Sequence, residues 1–376
     1  MVNMLWWLIR LLFNWITIER RNNYPRIEKF VETEHLSLLL HYITVLYYLV
    51  DFKKVNLLKI YIFIFWKAYF TFIYSDITSY VKNEIKNRNL KIYKKLEFLV
   101  YKFLYSFQLP NDIKEDIRRV YKTKFLNDSE ERLLKLAKFL TVKKEIEVNG
   151  KMYFNVYRAT INNINNQLNR LAGFSIDSKK VSFINSYIDQ VKRLKFSYRW
   201  NRLKKIYKIS VLSHLYIVFG ISYLLWKFKK LPDIQLLEVL LRSIFHDIPE
   251  ALTGDIVAPT KKAVDWLEDL INNIEKDLVD EKLLGIFSDD LKKEIWKYML
   301  RPFDGRLWKL VKISDLLSAM WEAKLEPEFY FQDVYRQLKR KLLNKNDKII
   351  KHFIVFGDEY FLDNIEKIWQ QFLNNK

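Results

Sequence analysis

His246-Asp247, with Glu250 three residues beyond the aspartate, is the stretch best suited to chemistry in this 376-residue chain. An imidazole nitrogen beside a carboxylate oxygen offers a borderline and a hard donor to one divalent cation. On a helix, residues three and four apart share a side, so His246, Asp247 and Glu250 can converge, with Glu250 placed to move protons. Thr253-Gly254 then reads as a helix stop, with Asp255 on the turn past it and Ala258-Pro259-Thr260-Lys261 following. Two other positions can complete the set. His214 opens an apolar helix, and Asp315 is one acid inside the apolar run Leu310–Met320. A carboxylate buried alone is costly, so Asp315 should be paired or bound to a metal. Taken singly, His214 reads as a satisfied core histidine and Asp315 as a buried cap.

The elements that must position these residues are helices. Gly and Pro number only seven each and half of the chain is hydrophobic, which predicts an all-α fold. Length sets an expectation of two domains. A loosening of composition between Asn149-Gly150 and Asp189 places the junction near residue 180, giving units 1–180 and 181–376. Cysteine is absent, which excludes disulfides, thiolate zinc sites and a cysteine nucleophile, and agrees with a cytoplasmic location. Residues 1–16, 36–50 and 60–75 are strongly apolar, but none gives the roughly 20 uncharged residues of a spanning helix. They read as buried helices, with an interfacial anchor at 1–16 as the lesser reading, and residues 1–16 lack the features of a signal peptide. The net charge of +20 points to polyanionic partners or to a compositional bias of the source. The basic run 192–208, which contains Tyr198-Arg199-Trp200, leaves phosphate or nucleic-acid recognition open beside the plainer reading of a solvated helix face.

In this order, His214, His246-Asp247 and Asp315 form the H…HD…D set of the HD-domain metal phosphohydrolases. Residues 195–325 more narrowly resemble the bacterial 5′-deoxynucleotidase family of the YfbR type. The resemblance rests on Arg199-Trp200, on Phe245-His246-Asp247 through Glu250 to Thr253-Gly254-Asp255, on Pro259 and Lys261, and on Leu310-Val311-Lys312 before Asp315. It implies one divalent metal (Mn, Co, Mg or Zn) held by His214, His246, Asp247 and Asp315, with Glu250 in general acid/base chemistry. It further implies that Arg199 contacts phosphate, that Trp200 and Asp255 shape the deoxyribose site, and that Lys261 belongs to the substrate site. The expected reaction is metal-dependent release of phosphate from deoxynucleoside 5′-monophosphates. One departure stands out: Ser213-His214-Leu215 replaces the family's usual Glu-His-Ser, which puts the orientation of His214 in question.

The first half reads as a degenerate copy. Arg20 precedes His35 by the interval at which Arg199 precedes His214, and Thr33-Glu34-His35-Leu36-Ser37 keeps the Glu-His pair. Ser75-Asp76 stands where His246-Asp247 would, Ser79 for Glu250, Glu84 for Asp255 and Lys138 for Asp315. No metal is expected there. An unrelated helical domain is the alternative. Other substrates remain open: deoxynucleoside triphosphates, cyclic dinucleotides or nucleic acid ends. So do a non-catalytic nucleic-acid-binding or scaffold role and a homo-oligomer.

Overall fold

The computed structural model describes residues 2–360 apart from 51–53, 74–76, 78, 123, 172–176, 202, 255, 257, 262, 286 and 306–308. The protein is all-α: among the described residues there is no strand, only two isolated β-bridges. The first nine helices are α1 (Val2–Asn14), α2 (Glu32–Leu49), α3 (Leu57–Phe72), α4 (Ser79–Arg88), α5 (Leu90–Ser106), α6 (Asn111–Lys122), α7 (Asp128–Glu145), α8 (Glu147–Met152) and α9 (Phe154–Leu171). Then come α10 (Ser178–Arg193), α11 (Val211–Phe228), α12 (Leu236–Phe245), α13 (Glu250–Thr253), α14 (Ala258–Lys261), α15 (Leu267–Lys282), α16 (Asp289–Leu300), α17 (Lys309–Leu325), α18 (Phe329–Leu343) and α19 (Lys348–Glu359).

Helix α11 is apolar on every side because every side is covered: all of its residues are buried, against α1, α2, α12 and α17. It is long and apolar enough to cross a membrane, yet it lies wholly inside the fold. The N-terminal apolar run forms α1, which packs on α11 and α19 as a buried helix. Trp6 lies 4.6 Å from Trp321, centroid to centroid, and Trp15 packs on Tyr69 and Tyr216. Gly220 permits this crossing, since a Cβ there would come within 2.6 Å of Leu12. Buried rings of this size contribute roughly 1.5–3 kcal/mol each, so α1 is a structural part of the C-terminal half.

One apolar core joins residues from α1 through to α19, and Ile146, Tyr157 and Ile164 form a separate small cluster. Helix α10, which begins beside the expected junction, packs Tyr187 under α2, where its hydroxyl meets His41 Nδ1 at 3.0 Å. A second polar link is buried between the halves: Trp66 Nε1 donates to the Tyr223 hydroxyl, which donates to Asp116, beside Lys227.

One local frame occurs twice. Glu19 pairs with Val31, and Tyr198 with Ser210, as antiparallel bridges. The Arg20 N–H donates to Phe30 O and the Arg199 N–H to Ile209 O. The next residue in each case, Arg21 or Trp200, has positive φ, 51° and 59°. Backbone N–H groups of Ile27 and Glu28 donate to the Asn149 side chain, and those of Ile206 and Tyr207 to Glu326. Each frame leads into an 18-residue helix, α2 or α11, with a histidine in its first turn.

In the first frame the charges satisfy one another. Arg20 contacts Glu32 at 2.6 Å and Glu145 at 3.0 Å, Arg21 contacts Glu145 at 2.7 Å, and His35 Nδ1 contacts Glu145 at 2.6 Å. Lys138 stands seven residues before Glu145 on α7, with Lys67, Lys82 and Lys135 as charged neighbours. Ser75 and Asp76 lie outside the described residues, and so does the side chain of Ser79. Glu84 is paired with Arg88 on the surface of α4. Removing the buried, shared carboxylate with Glu145→Ala should cost about 3–5 kcal/mol, because Arg21 and His35 lose their partner and Arg20 one of its two. Denaturant melts should show that loss, while the amount of metal bound stays as in the wild type.

Candidate metal centre

Helix α12 ends at Phe245, and its buried face aims the following residues at α11 and α17. Pro249 has no N–H to return to Phe245 O and disfavours helical geometry just before it. His246–Pro249 therefore form a tight turn, with Ile248 N–H bonded to Phe245 O and Glu250 N–H to Asp247 O, each at 3.1 Å. This corrects the expectation of one helix carrying His246, Asp247 and Glu250: the pair sits on the turn, and Glu250 opens the separate short helix α13. That helix stops at Gly254, whose N–H bonds Glu250 O at 2.9 Å. With φ 76° and ψ 168°, this position is open to glycine alone.

Three elements converge on one point. His214 Nε2 from α11 lies 3.2 Å from Asp315 Oδ1 on α17 and 3.7 Å from Asp247 Oδ2. His246 Nε2 lies 3.3 Å from the same Asp247 oxygen. One donor atom each from His214, His246 and Asp315 falls within 4.8 Å of the others.

The donor chemistry fits a metal. Both Nε2 atoms are buried and make no hydrogen bond. His246 Nδ1 lies 2.9 Å from Ser243 O, an acceptor only, so its proton sits on Nδ1 and the Nε2 lone pair is free. His214 Nδ1 lies 3.0 Å from Ser318 Oγ, which in turn donates toward Glu322, favouring the same tautomer. This answers the question raised by Ser213, since the His214 ring takes its orientation from α17. The charges fit as well. The carboxylates of Asp247, Glu250, Asp315 and Glu322 outnumber the cations Arg199, Lys312 and Lys205 around them, so the centre carries net negative charge.

The carboxylates stay ionised despite their surroundings. Burial opposes the charge on Asp315, yet in the absence of a cation a protonated His214, with Lys312 and Arg199, holds it well below the usual range, and a bound cation would take the place of that proton. Burial likewise opposes Glu322, and Arg199 with His214 brings it down to about 2. Burial lowers the pKa of His246, which favours the neutral, ligating form.

Arg199 spans the centre. It lies 3.3 Å from Glu322, 3.7 Å from Asp247 and 4.0 Å from Asp315, and Glu250 adds to the negative field around it. The two longer contacts leave its outer nitrogens loosely held. Trp200 donates its indole N–H to Glu322 at 3.3 Å and packs edge-on against Phe331. Lys261 is paired with Glu275 at 3.1 Å, near Thr253. Asp255 lies outside the described residues.

Glu322 and Ser318 were not found by sequence reasoning. They follow Asp315 by seven and three residues on the same face of α17, and the rule that flags a buried acid in an apolar helix applies equally to Glu322. The basic run 192–208 is not one solvated face. Lys192 pairs with buried Glu28, Lys195 lies over the Phe30 ring and the Lys205 ammonium is buried.

The all-helical scaffold thus brings together a histidine on one helix, a His-Asp pair on a turn and an aspartate on a third element. Residues 186–364 match the family described as 5′-deoxynucleotidase YfbR-like. Among solved structures, a crystal structure of an HD-domain phosphohydrolase from Listeria innocua is similar over 51% of this chain and 97% of its own, at 20% identity and a TM-score of 0.41. The search of curated proteins gave no match.

Proposed function

We propose that the C-terminal half hydrolyses deoxynucleoside 5′-monophosphates to nucleoside and phosphate, with His214, His246, Asp247 and Asp315 holding one divalent cation. The observation that carries this reading is the pair of buried, unbonded Nε2 atoms facing two carboxylates, with Arg199 spanning the same carboxylates. The cation, when bound, supplies a Lewis acid for the phosphoryl group and lowers the pKa of water. The chain supplies the rest. Ser243 and Ser318 fix the two imidazole tautomers. Glu250 exchanges a proton with the attacking water or the leaving oxygen. Arg199 swings its loosely held outer nitrogens to the phosphate, a bidentate geometry that guanidinium favours. Trp200 and Asp255 shape the sugar site, and Lys261 borders it.

Arg199→Ala should lower kcat/KM for a monophosphate by about 10–100-fold, the worth of a lost hydrogen bond to a charged group. Steady-state kinetics on metal-saturated enzyme measures it. The substrate class is tested by phosphate release from deoxy- and ribonucleoside 5′-monophosphates after metal is stripped and added back. Metal-dependent turnover of deoxy substrates is expected. No release from any monophosphate by metal-loaded protein would transfer the proposal to triphosphates, cyclic dinucleotides or nucleic acid ends.

We further read the first half as a copy of the same unit that has lost its ligands. The repeated bridge, the paired positive-φ residues and the paired loop acceptors support this. In that copy Glu32 neutralises Arg20, and Lys138 brings positive charge to the position that matches Asp315.

A further inference from the structure

The cap of the helix carrying His214 is held by a residue from the other half of the chain. Ser210 is the N-cap of α11 and accepts the Ser213 N–H at 3.2 Å. Its own hydroxyl donates to Glu34 Oε1 at 2.8 Å. The other oxygen of Glu34 accepts the Val31 N–H at 3.1 Å, the reach-back half of a capping box at the start of α2. Thr33, its neighbour, donates to Ser213 Oγ at 2.9 Å. One buried carboxylate therefore fixes the first turns of two helices.

The need for this arrangement is visible in the matched frames. In α2 the third residue is Glu34, which reaches back to its own N-cap; in α11 the third residue is Ser213, too short to do so. His214 follows Ser213 directly, so any freedom in that first turn moves its imidazole. Its ring is gripped at Nδ1 from α17, but the helix that carries it is registered from α2.

We propose that Glu34 is a positioning residue for the metal centre: through Ser210 it sets the start of α11 and hence the place of His214. The half without a complete ligand set thereby takes part in forming the site in the other half. This inference rests on the metal-centre reading above.

The test is a cycle of Glu34→Ala, Ser213→Glu and the double variant in the full chain. Mn²⁺ affinity is measured by competition with a chromophoric chelator, alongside the thermal midpoint of the metal-free protein. Loss of groups that orient ligands typically costs 10–100-fold in metal affinity, and Glu34→Ala should weaken Mn²⁺ binding on that scale. Ser213→Glu alone should also weaken binding, since it crowds a second carboxylate against buried Glu34. Combined, the two should return affinity to within about threefold of wild type, because a glutamate at the third position of α11 rebuilds the capping box from within and the space is vacated. Should Glu34→Ala fail to fold, Glu34→Gln keeps the side-chain volume and should show a several-fold loss that Ser213→Glu repairs. Unchanged Mn²⁺ affinity in folded Glu34→Ala or Glu34→Gln would overturn the proposal, as would a double variant no better than the single. Wild-type protein that binds no metal would overturn the metal-centre reading as well, which separates the two failures.

Discussion

Asp315→Asn will remove metal-dependent hydrolysis, by at least ~10³-fold at metal concentrations that saturate the wild type. The amide keeps the volume but replaces a charged donor by a weak neutral one, and it leaves Arg199 and Lys312 short of a carboxylate. Changing a group that only orients a ligand costs 10–100-fold, so losing a ligand should cost more. The chemical advantage at stake is the shift of the water pKa from 15.7 to about 7 that a bound cation provides. Metal content after dialysis and phosphate release together check the result. The fold should survive, because Asp315 sits at the edge of the core and its loss opens no apolar cavity.

Glu250→Gln will separate binding from chemistry. The glutamine keeps the first residue of α13 and the N–H bond to Asp247 O. No donor atom to the cation is removed, only one charge of the surrounding field, so metal affinity should fall far less than in Asp315→Asn while kcat at saturating metal falls by about 10²–10⁴-fold, the range for loss of a positioned proton-transfer group. The loss should fall on kcat more than on KM, because Arg199 keeps its contacts with Glu322, Asp247 and Asp315. A variant that loses metal instead would make Glu250 a structural or ligating residue.

Much of this arrangement was legible in the sequence, for reasons that differ by residue. Few glycines and prolines and long apolar runs dictated helices, and His246-Asp247 announced itself because adjacent donors of different hardness are rare. Glu250 does not share a helix with His246-Asp247 because Pro249, visible in the sequence, breaks the hydrogen-bond ladder between them. Glu322 and Ser318 escaped because the buried-acid argument stopped at Asp315, one turn short of Ser318 and two turns short of Glu322 on the same face of α17. The link from Glu34 to Ser210 could not be read locally at all. It joins residues 176 positions apart, and neither side chain has a pattern that names its partner. The basic run was similarly opaque. Lys192 and Lys195 are held by Glu28 and Phe30, two residues of the first half.

The most direct measurement is the stoichiometry and location of the metal. The metal-stripped chain would be titrated with Mn²⁺, Co²⁺ or Zn²⁺, in the wild type and in His246→Ala/Asp247→Ala. The account predicts one tight equivalent per chain in the wild type and none in the variant, with Glu145→Ala retaining the full equivalent. A tight equivalent that survives loss of His246 and Asp247, or that disappears with Glu145, would contradict it and place the cation in the first half.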